Sequence, residues 1–263
     1  MKLLVLNALS VLSELSKKTK HKYLLGQFCL VFNLTYSFRL STMKIIAHRG
    51  ASQYAPENSL AAFQLALTHP IAGIEFDVHY INGHALVIHD ETLTRTHQLN
   101  IPISALTAEQ LITYEIPTLE QVLTVVSSHH LCINIEVKSV DDNTLFIRHL
   151  LDLQQRGLIH SGTVLSSFNH CLLDAYQKAG INTQYGGLIA HLPKDLAQYA
   201  VLGRFDIVAT AQDMVSPELI ADAHRLGKQV WVYTVNDFAT AQRLAQWQVD
   251  AIFSNDTLMM QPS

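Results

Sequence analysis

From residue 43 onward the chain alternates between two hydrophobic periods, and this alternation narrows the folds open to it more than any other feature. Short runs rich in β-branched residues stand at KIIAH (44–48), GIEFDV (73–78), LCINIEV (131–137), TVLSSF (163–168), TQYGGLI (183–189), FDIVAT (205–210), QVWVYTV (229–235) and DAIFSN (250–255). Amphipathic segments at 58–69, 119–127, 144–156, 169–179, 217–226 and 238–246 lie between them. Near-continuous apolar runs of this length read as strands covered on both faces, and the segments between them as the covering helices. Asn58, Thr118, Asn169, Ser216 and Asn236 or Asp237 are capping residue types at the helix starts, while Gly180 and Gly227 stand where helices should stop. Eight such strands, each returned by a helix, predict a (β/α)₈ TIM barrel; a doubly wound open sheet shows the same alternation. One further run, ALVIHD (85–90), follows Gly83 closely and reads as a small hairpin insertion after the second strand.

The chain has 263 residues, 49% of them hydrophobic and 15% charged, which is enough apolar material for one continuous core. Its formal net charge is -4 and its 18 lysines and arginines are scattered rather than clustered, which argues against a nucleic acid as the main partner. Cys29, Cys132 and Cys171 have no CxxC or paired spacing, which points to a reducing, cytoplasmic setting. Residues 1–42 differ from the rest. Asn7 and Glu14 interrupt the first apolar stretch, and KKTKHK rather than a small-residue cleavage site follows it, unlike a secretory signal. YLLGQFCLVFNLTYSF (23–38) is shorter than the ~20 residues of a spanning helix and carries Gln27 and Asn33. The expectation is a barrel domain over 43–263, with Met43 as the biological start and 1–42 as upstream sequence or a loosely ordered extension. A membrane anchor is the alternative, and membrane association is expected only if 1–42 is genuine. Nothing in the sequence indicates an oligomeric state.

Polar residues at strand ends carry the functional signal, because the active site of a barrel gathers at the carboxyl ends of its strands. His48 and Arg49 end the first strand. Glu75 and Asp77 are two apart in the second, so they share one face; Glu136 and Lys138 repeat the spacing in INIEVK. His89 closes ALVIHD, and Trp231 and Tyr233 sit two apart in QVWVYTV. Glu75, Asp77 and Glu136 brought to one mouth would repel one another unless a hard cation neutralised them, and all-oxygen ligation suits Mg²⁺ or Ca²⁺ better than zinc. His48 and His89 would supply a general base and a general acid, and Arg49 and Lys138 the positive charge that a phosphodiester needs as its transition state develops. Trp231 and Tyr233 read equally well as a substrate wall or as barrel packing. The other histidines read as structural or exposed, and Asn58 and Ser59 as helix caps rather than ligands.

The segments AHRGASQYAPENSLAAFQLAL, GIEFDVHYINGHALVIHDETLTRT, IPTLEQVL, INIEVK, LSSF and VWVYTVND resemble, in order and spacing, the glycerophosphodiester phosphodiesterase family over essentially all of 43–256. The resemblance implies His48 and His89 as the acid–base pair and Glu75, Asp77 and Glu136 as ligands of one divalent cation. It further implies Arg49 as a phosphate-binding residue with Lys138 beside it, and Glu57 as an acidic neighbour orienting Arg49 or the metal shell. The implied reaction is hydrolysis of a small-molecule glycerophosphodiester to glycerol 3-phosphate and an alcohol, with the substrate's own hydroxyl attacking phosphorus and water opening the cyclic phosphate. The alternatives are a phospholipase C-like or lysophospholipase D-like phosphodiesterase of the same superfamily, or a non-catalytic barrel that binds a phosphate ligand. The chain departs from the family pattern at Tyr233, where Trp is usual, in a compressed stretch 96–117, and in its FSNDTL ending.

Overall fold

A computed structural model describes residues 43–127 and 129–260. The expectations for residues 1–42, including Cys29, fall outside the described residues. Eight parallel strands form the barrel: β1 (Lys44–His48), β2 (Gly73–Ile81), β4 (Cys132–Val140), β5 (Thr163–Ser167), β6 (Gln184–Ile189), β7 (Ile207–Ala211), β8 (Gln229–Tyr233) and β9 (Ala251–Ser254). They pair in the order β1-β9-β8-β7-β6-β5-β4-β2, and β1 pairs with β2 to close the ring. The sheet is therefore a barrel and not the open alternative.

Helices α1 (Leu60–Ala66), α4 (Leu119–Val126), α5 (Asn143–Gln155), α6 (His170–Lys178), α7 (Gln198–Leu202), α8 (Pro217–Arg225) and α9 (Phe238–Gln246) return the chain between strands. The Thr118 side chain accepts from Gln121 N–H while the Gln121 side chain accepts from Thr118 N–H, a reciprocal cap at the start of α4. Asn169, Ser216 and Asp237 accept from the N–H groups of Cys171, Leu219 and Thr240. Alternation along the strands sorts the core into two layers. Ile46, Val164, Leu188, Ile207, Ala209, Trp231, Ala251 and Phe253 fill the barrel interior. Phe63 and Phe76, with ring centroids 5.5 Å apart, and Phe146 and Tyr176 at 5.8 Å are fully buried. Phe76 points the opposite way from Glu75 and Asp77, toward α1.

The insertion after β2 is larger than a hairpin. β3 (His84–Val87) pairs antiparallel with β2 across Asn82 and Gly83, both at positive φ (51° and 80°), as a two-residue turn of the I′ kind requires. The chain then forms α2 (Thr94–His97), a 3₁₀ turn at Ile103–Ala105 and α3 (Ala108–Thr113) before reaching α4. Leu86, Ile88, Leu93, Ile103, Leu111 and Ile116 give this excursion a small apolar core of its own. Among the described residues no helix is long and apolar enough to cross a membrane.

Candidate active site

Strand register assembles the site. His48 on β1 is the parallel partner of Glu75 on β2, and Asp77 on β2 is the partner of Glu136 on β4. Parallel partners face the same side, so these four side chains share one wall of the barrel near its carboxyl end. One oxygen from each of Glu75, Asp77 and Glu136 lies within 4.8 Å of the others. Glu75 and Asp77 are 2% and 0% exposed. Burial, then the Asp77 and Glu136 charges, pushes the Glu75 carboxyl well above the usual carboxylate range; burial and Asp77 raise Glu136 as well. Glu75 Oε1 and Asp77 Oδ1 are buried without a hydrogen-bond donor. Orphaned carboxylate oxygens in so tight a group fit a hard divalent cation, which would occupy both and offset the mutual repulsion.

The turn after β1 supplies one of the site's two positive side chains, Arg49. Arg49 and Gly50 both have positive φ, 57° and 81°. This sharp turn lets Arg49 N–H donate to Glu75 Oε2 at 2.9 Å, while its side chain places Nη1 2.9 Å from Glu57 Oε1 and Nε 3.1 Å from Asp77 Oδ2. A Cβ on Gly50 would stand 2.8 Å from the Ala62 carbonyl carbon. Gly50→Ala is therefore expected to cost about 2–4 kcal/mol, combining left-handed strain with overpacking. Urea unfolding checks this, and a midpoint within error of wild type would contradict it.

The two histidines have different partners. The half-buried His48 places Nδ1 2.7 Å from Asn255 Oδ1 and Nε2 4.0 Å from Glu75 Oε2. An amide oxygen only accepts, so Nδ1 carries the proton and the Nε2 lone pair faces the carboxylates. Burial, and Arg49 next, lowers His48 to about 4. His89 has its Nδ1 2.6 Å from Asp90 Oδ1 and its Nε2 3.2 Å from Lys138 Nζ. Lys138 in turn donates to Glu136 Oε1 at 2.8 Å and lies 3.7 Å from Asp77 Oδ1; these carboxylates raise its pKa even though burial opposes it. His79, buried beneath, donates from Nε2 to the His89 carbonyl at 3.0 Å and pairs through Nδ1 with Ser139 Oγ at 2.7 Å, so its role is to hold the His89 backbone.

The structure brings His48, Arg49, Glu57, Glu75, Asp77, His89, Glu136 and Lys138 into one contiguous network, with two corrections. Trp231 is 3% exposed and lies in the interior packing cluster, with its indole N–H donating to Gln229 Oε1 at 3.0 Å. It sits one layer deeper than the mouth, so it is barrel packing and not a substrate wall. Tyr233, one layer higher, donates to the Ile189 carbonyl at 2.7 Å and meets Phe168 edge-on at 6.0 Å. Phe168 is 47% exposed, and its ring lies 5.9 Å from Lys138 Nζ. Asn58 is not the cap of α1: Ser59 caps it by accepting from Ala62 N–H, while the Asn58 amide donates to Asp77 Oδ2 at 2.9 Å and accepts from Asp77 N–H at 3.3 Å. Asn58 thus fixes Asp77 from two sides.

The chain matches a family model, the glycerophosphoryl diester phosphodiesterase family, over residues 48–259. It is 27% identical to a glycerophosphodiester phosphodiesterase of Caldanaerobacter subterraneus subsp. tengcongensis, covering 81% of this chain and 93% of that one. It is 30% identical to one of Bacillus altitudinis, covering 81% and 94%. Among solved structures it superposes on a phosphodiesterase of Oleispira antarctica in complex with the product sn-glycerol-3-phosphate, with a TM-score of 0.75, 26% identity and coverage of 86% and 97%. The match spans the whole carboxyl mouth of the barrel, and the chain belongs to the glycerophosphoryl diester phosphodiesterase family.

Proposed function

We propose that the chain hydrolyses small glycerophosphodiesters to sn-glycerol 3-phosphate and a free alcohol. The observation that carries this reading is the convergence of two histidines, three carboxylates and two cations on one barrel wall, in a chain of this family. Glu75, Asp77 and Glu136 would hold one divalent cation, Mg²⁺ or Ca²⁺, which when bound neutralises phosphoryl oxygens and lowers the pKa of a nearby hydroxyl. Arg49 and Lys138 hold the phosphate oxygens, and Glu57 orients Arg49 through the 2.9 Å ion pair. Phe168 and Tyr233 form the wall beside Lys138.

The different partners of the histidines support different roles for them. His48 is held by a neutral amide with a free lone pair on Nε2, and it takes the proton of the attacking glycerol hydroxyl. His89 is held at Nδ1 by a carboxylate that would balance the charge of a protonated ring; with Nε2 protonated and Lys138, which donates to Nε2 in the resting site, turned to the phosphate, the ring gives that proton to the departing alcohol oxygen. Phosphorus exchanges one P–O bond for another, giving a cyclic phosphate. Water then opens the ring with the two histidines exchanging roles. The free thiols Cys132 and Cys171 support a reducing, cytoplasmic location.

Phosphorus NMR of the reaction tests the reading. With sn-glycero-3-phosphocholine and Mg²⁺ or Ca²⁺, the resonance of glycerol 3-phosphate is expected to replace that of the diester. Cyclic phosphate that accumulates and persists would assign a lyase instead, and no turnover of any glycerophosphodiester would assign a binding protein.

A further inference from the structure

We propose that Arg95 is a positioning residue for the reaction: anchored on Glu57, it holds Asp90 in the place where Asp90 orients His89. The proposal rests on the assignment of His89 as the proton donor. Arg95 Nη1 and Nη2 donate to Glu57 Oε2 and Oε1, both at 2.7 Å, and Arg95 Nε donates to Asp90 Oδ2 at 2.6 Å. Each carboxylate uses its remaining reach on the site itself: Glu57 Oε1 also takes Arg49 Nη1, and Asp90 Oδ1 takes His89 Nδ1. One guanidinium therefore joins the loop after β1, which carries Arg49, to the loop after β3, which carries His89.

The insertion supplies this guanidinium on a fixed mount. Leu93, at the start of α2, is fully buried in the insertion's own core; its N–H donates to the Ile101 carbonyl, and its carbonyl accepts from His97 N–H. The fork geometry matters because the planar group meets one carboxylate with two parallel donors and the other with Nε, which a lysine cannot reproduce. Glu57 and Asp90 are both held below the usual carboxylate range by these contacts although burial opposes it, so the cluster keeps its charges at neutral pH. The Arg95 side chain is about half exposed, and such pairs add little to folding stability. Its effect belongs in turnover.

The test is a double-mutant cycle with Arg95→Gln and His89→Ala in the full chain, assayed on a glycerophosphodiester with an alkyl alcohol. Arg95→Gln is expected to lower kcat by about 10²-fold, as a misplaced catalytic group does, with a smaller change in KM and a melting temperature near wild type. Arg95→Lys is expected not to restore kcat. In the His89→Ala background, adding Arg95→Gln should cost less than about 3-fold, because groups that act as a unit are not additive. A full 10²-fold loss carried into that background, or an Arg95→Gln enzyme as fast as wild type, overturns the proposal while leaving His89 as the donor. A His89→Ala enzyme that turns over normally overturns both.

Discussion

Stripping divalent cations with EDTA is expected to take turnover below detection and to leave a barrel that is folded but less stable. Glu75, Asp77 and Glu136 crowd their oxygens within 4.8 Å, two of them almost fully buried, and hydrogen bonds from Asn58 and the Arg49 backbone cover only part of their lone pairs. In the cation-free protein, burial and the neighbouring carboxylates raise Glu75 and Glu136, so the folded chain holds protons that the unfolded chain releases. Where the folded state binds more protons, stability falls as pH rises. The contribution is fully present below the ordinary carboxylate value of about 4 and is lost as pH climbs through the raised values. A cation replaces those protons, so melting curves recorded with saturating Mg²⁺ or Ca²⁺ should show a flatter pH slope. At a cation concentration of about 100 Kd the stabilisation is about 2.7 kcal/mol, or roughly 5–10 °C in a domain of this size. Calorimetric titration in buffers of different ionisation enthalpy should register proton release on binding. Full activity in excess chelator, or a melting temperature unmoved by either cation, would remove the carboxylates from this role.

Much of this arrangement is legible in the sequence, and the reason is periodicity. Spacing of two places Glu75 with Asp77, and Glu136 with Lys138, whatever the sheet's closure, because alternation along a strand is local. The eight strands appear within a few residues of their expected positions, since runs of β-branched residues are long enough to show a period. Elements shorter than two helical turns carry no such signal. The four residues of α2, the six of α3 and the five of α7 therefore escape a reading that rests on amphipathic repeats. The same blindness hides Arg95, which α2 carries, although TRT follows HDETL in the chain.

Partnerships that cross the barrel seam are hidden for a different reason. Asn255 reaches His48 only because β9 pairs with β1 in a register that sets Ala47 beside Ser254, and nothing local to either residue states that register. Asn58 is the opposite case, where local chemistry misleads. An Asn ahead of an amphipathic run is a capping type, but Ser59 one residue later takes the cap and frees the Asn58 amide to hold Asp77. Trp231 shows that the layer matters as much as the face. It shares the interior side with Tyr233, yet sits one step deeper among Ile46, Ala209 and Phe253, where aromatic area serves packing.

His48→Ala and His89→Ala are each expected to lower turnover of an alkyl glycerophosphodiester by about 10²–10⁴-fold, the usual contribution of a positioned acid or base. Changing the leaving group separates them. An alkyl alcohol departs as a strong base and needs a proton, whereas p-nitrophenolate leaves without one. If His89 is the acid, the first step of His89→Ala, read as the burst of p-nitrophenolate, should recover to within about 10-fold of wild type on a p-nitrophenyl diester, because protonation of the leaving group is unnecessary in that step. His48→Ala should stay slow on both substrates, since deprotonation of the attacking hydroxyl is required whatever departs. The asymmetry follows from the ring partners: Asn255 offers a neutral oxygen to a ring that burial and Arg49 keep neutral, while Asp90 offers a carboxylate to the ring that must carry a charge. The reverse pattern, with His48→Ala rescued by the better leaving group, would exchange the two assignments, and rescue of both would show that neither ring deprotonates the nucleophile.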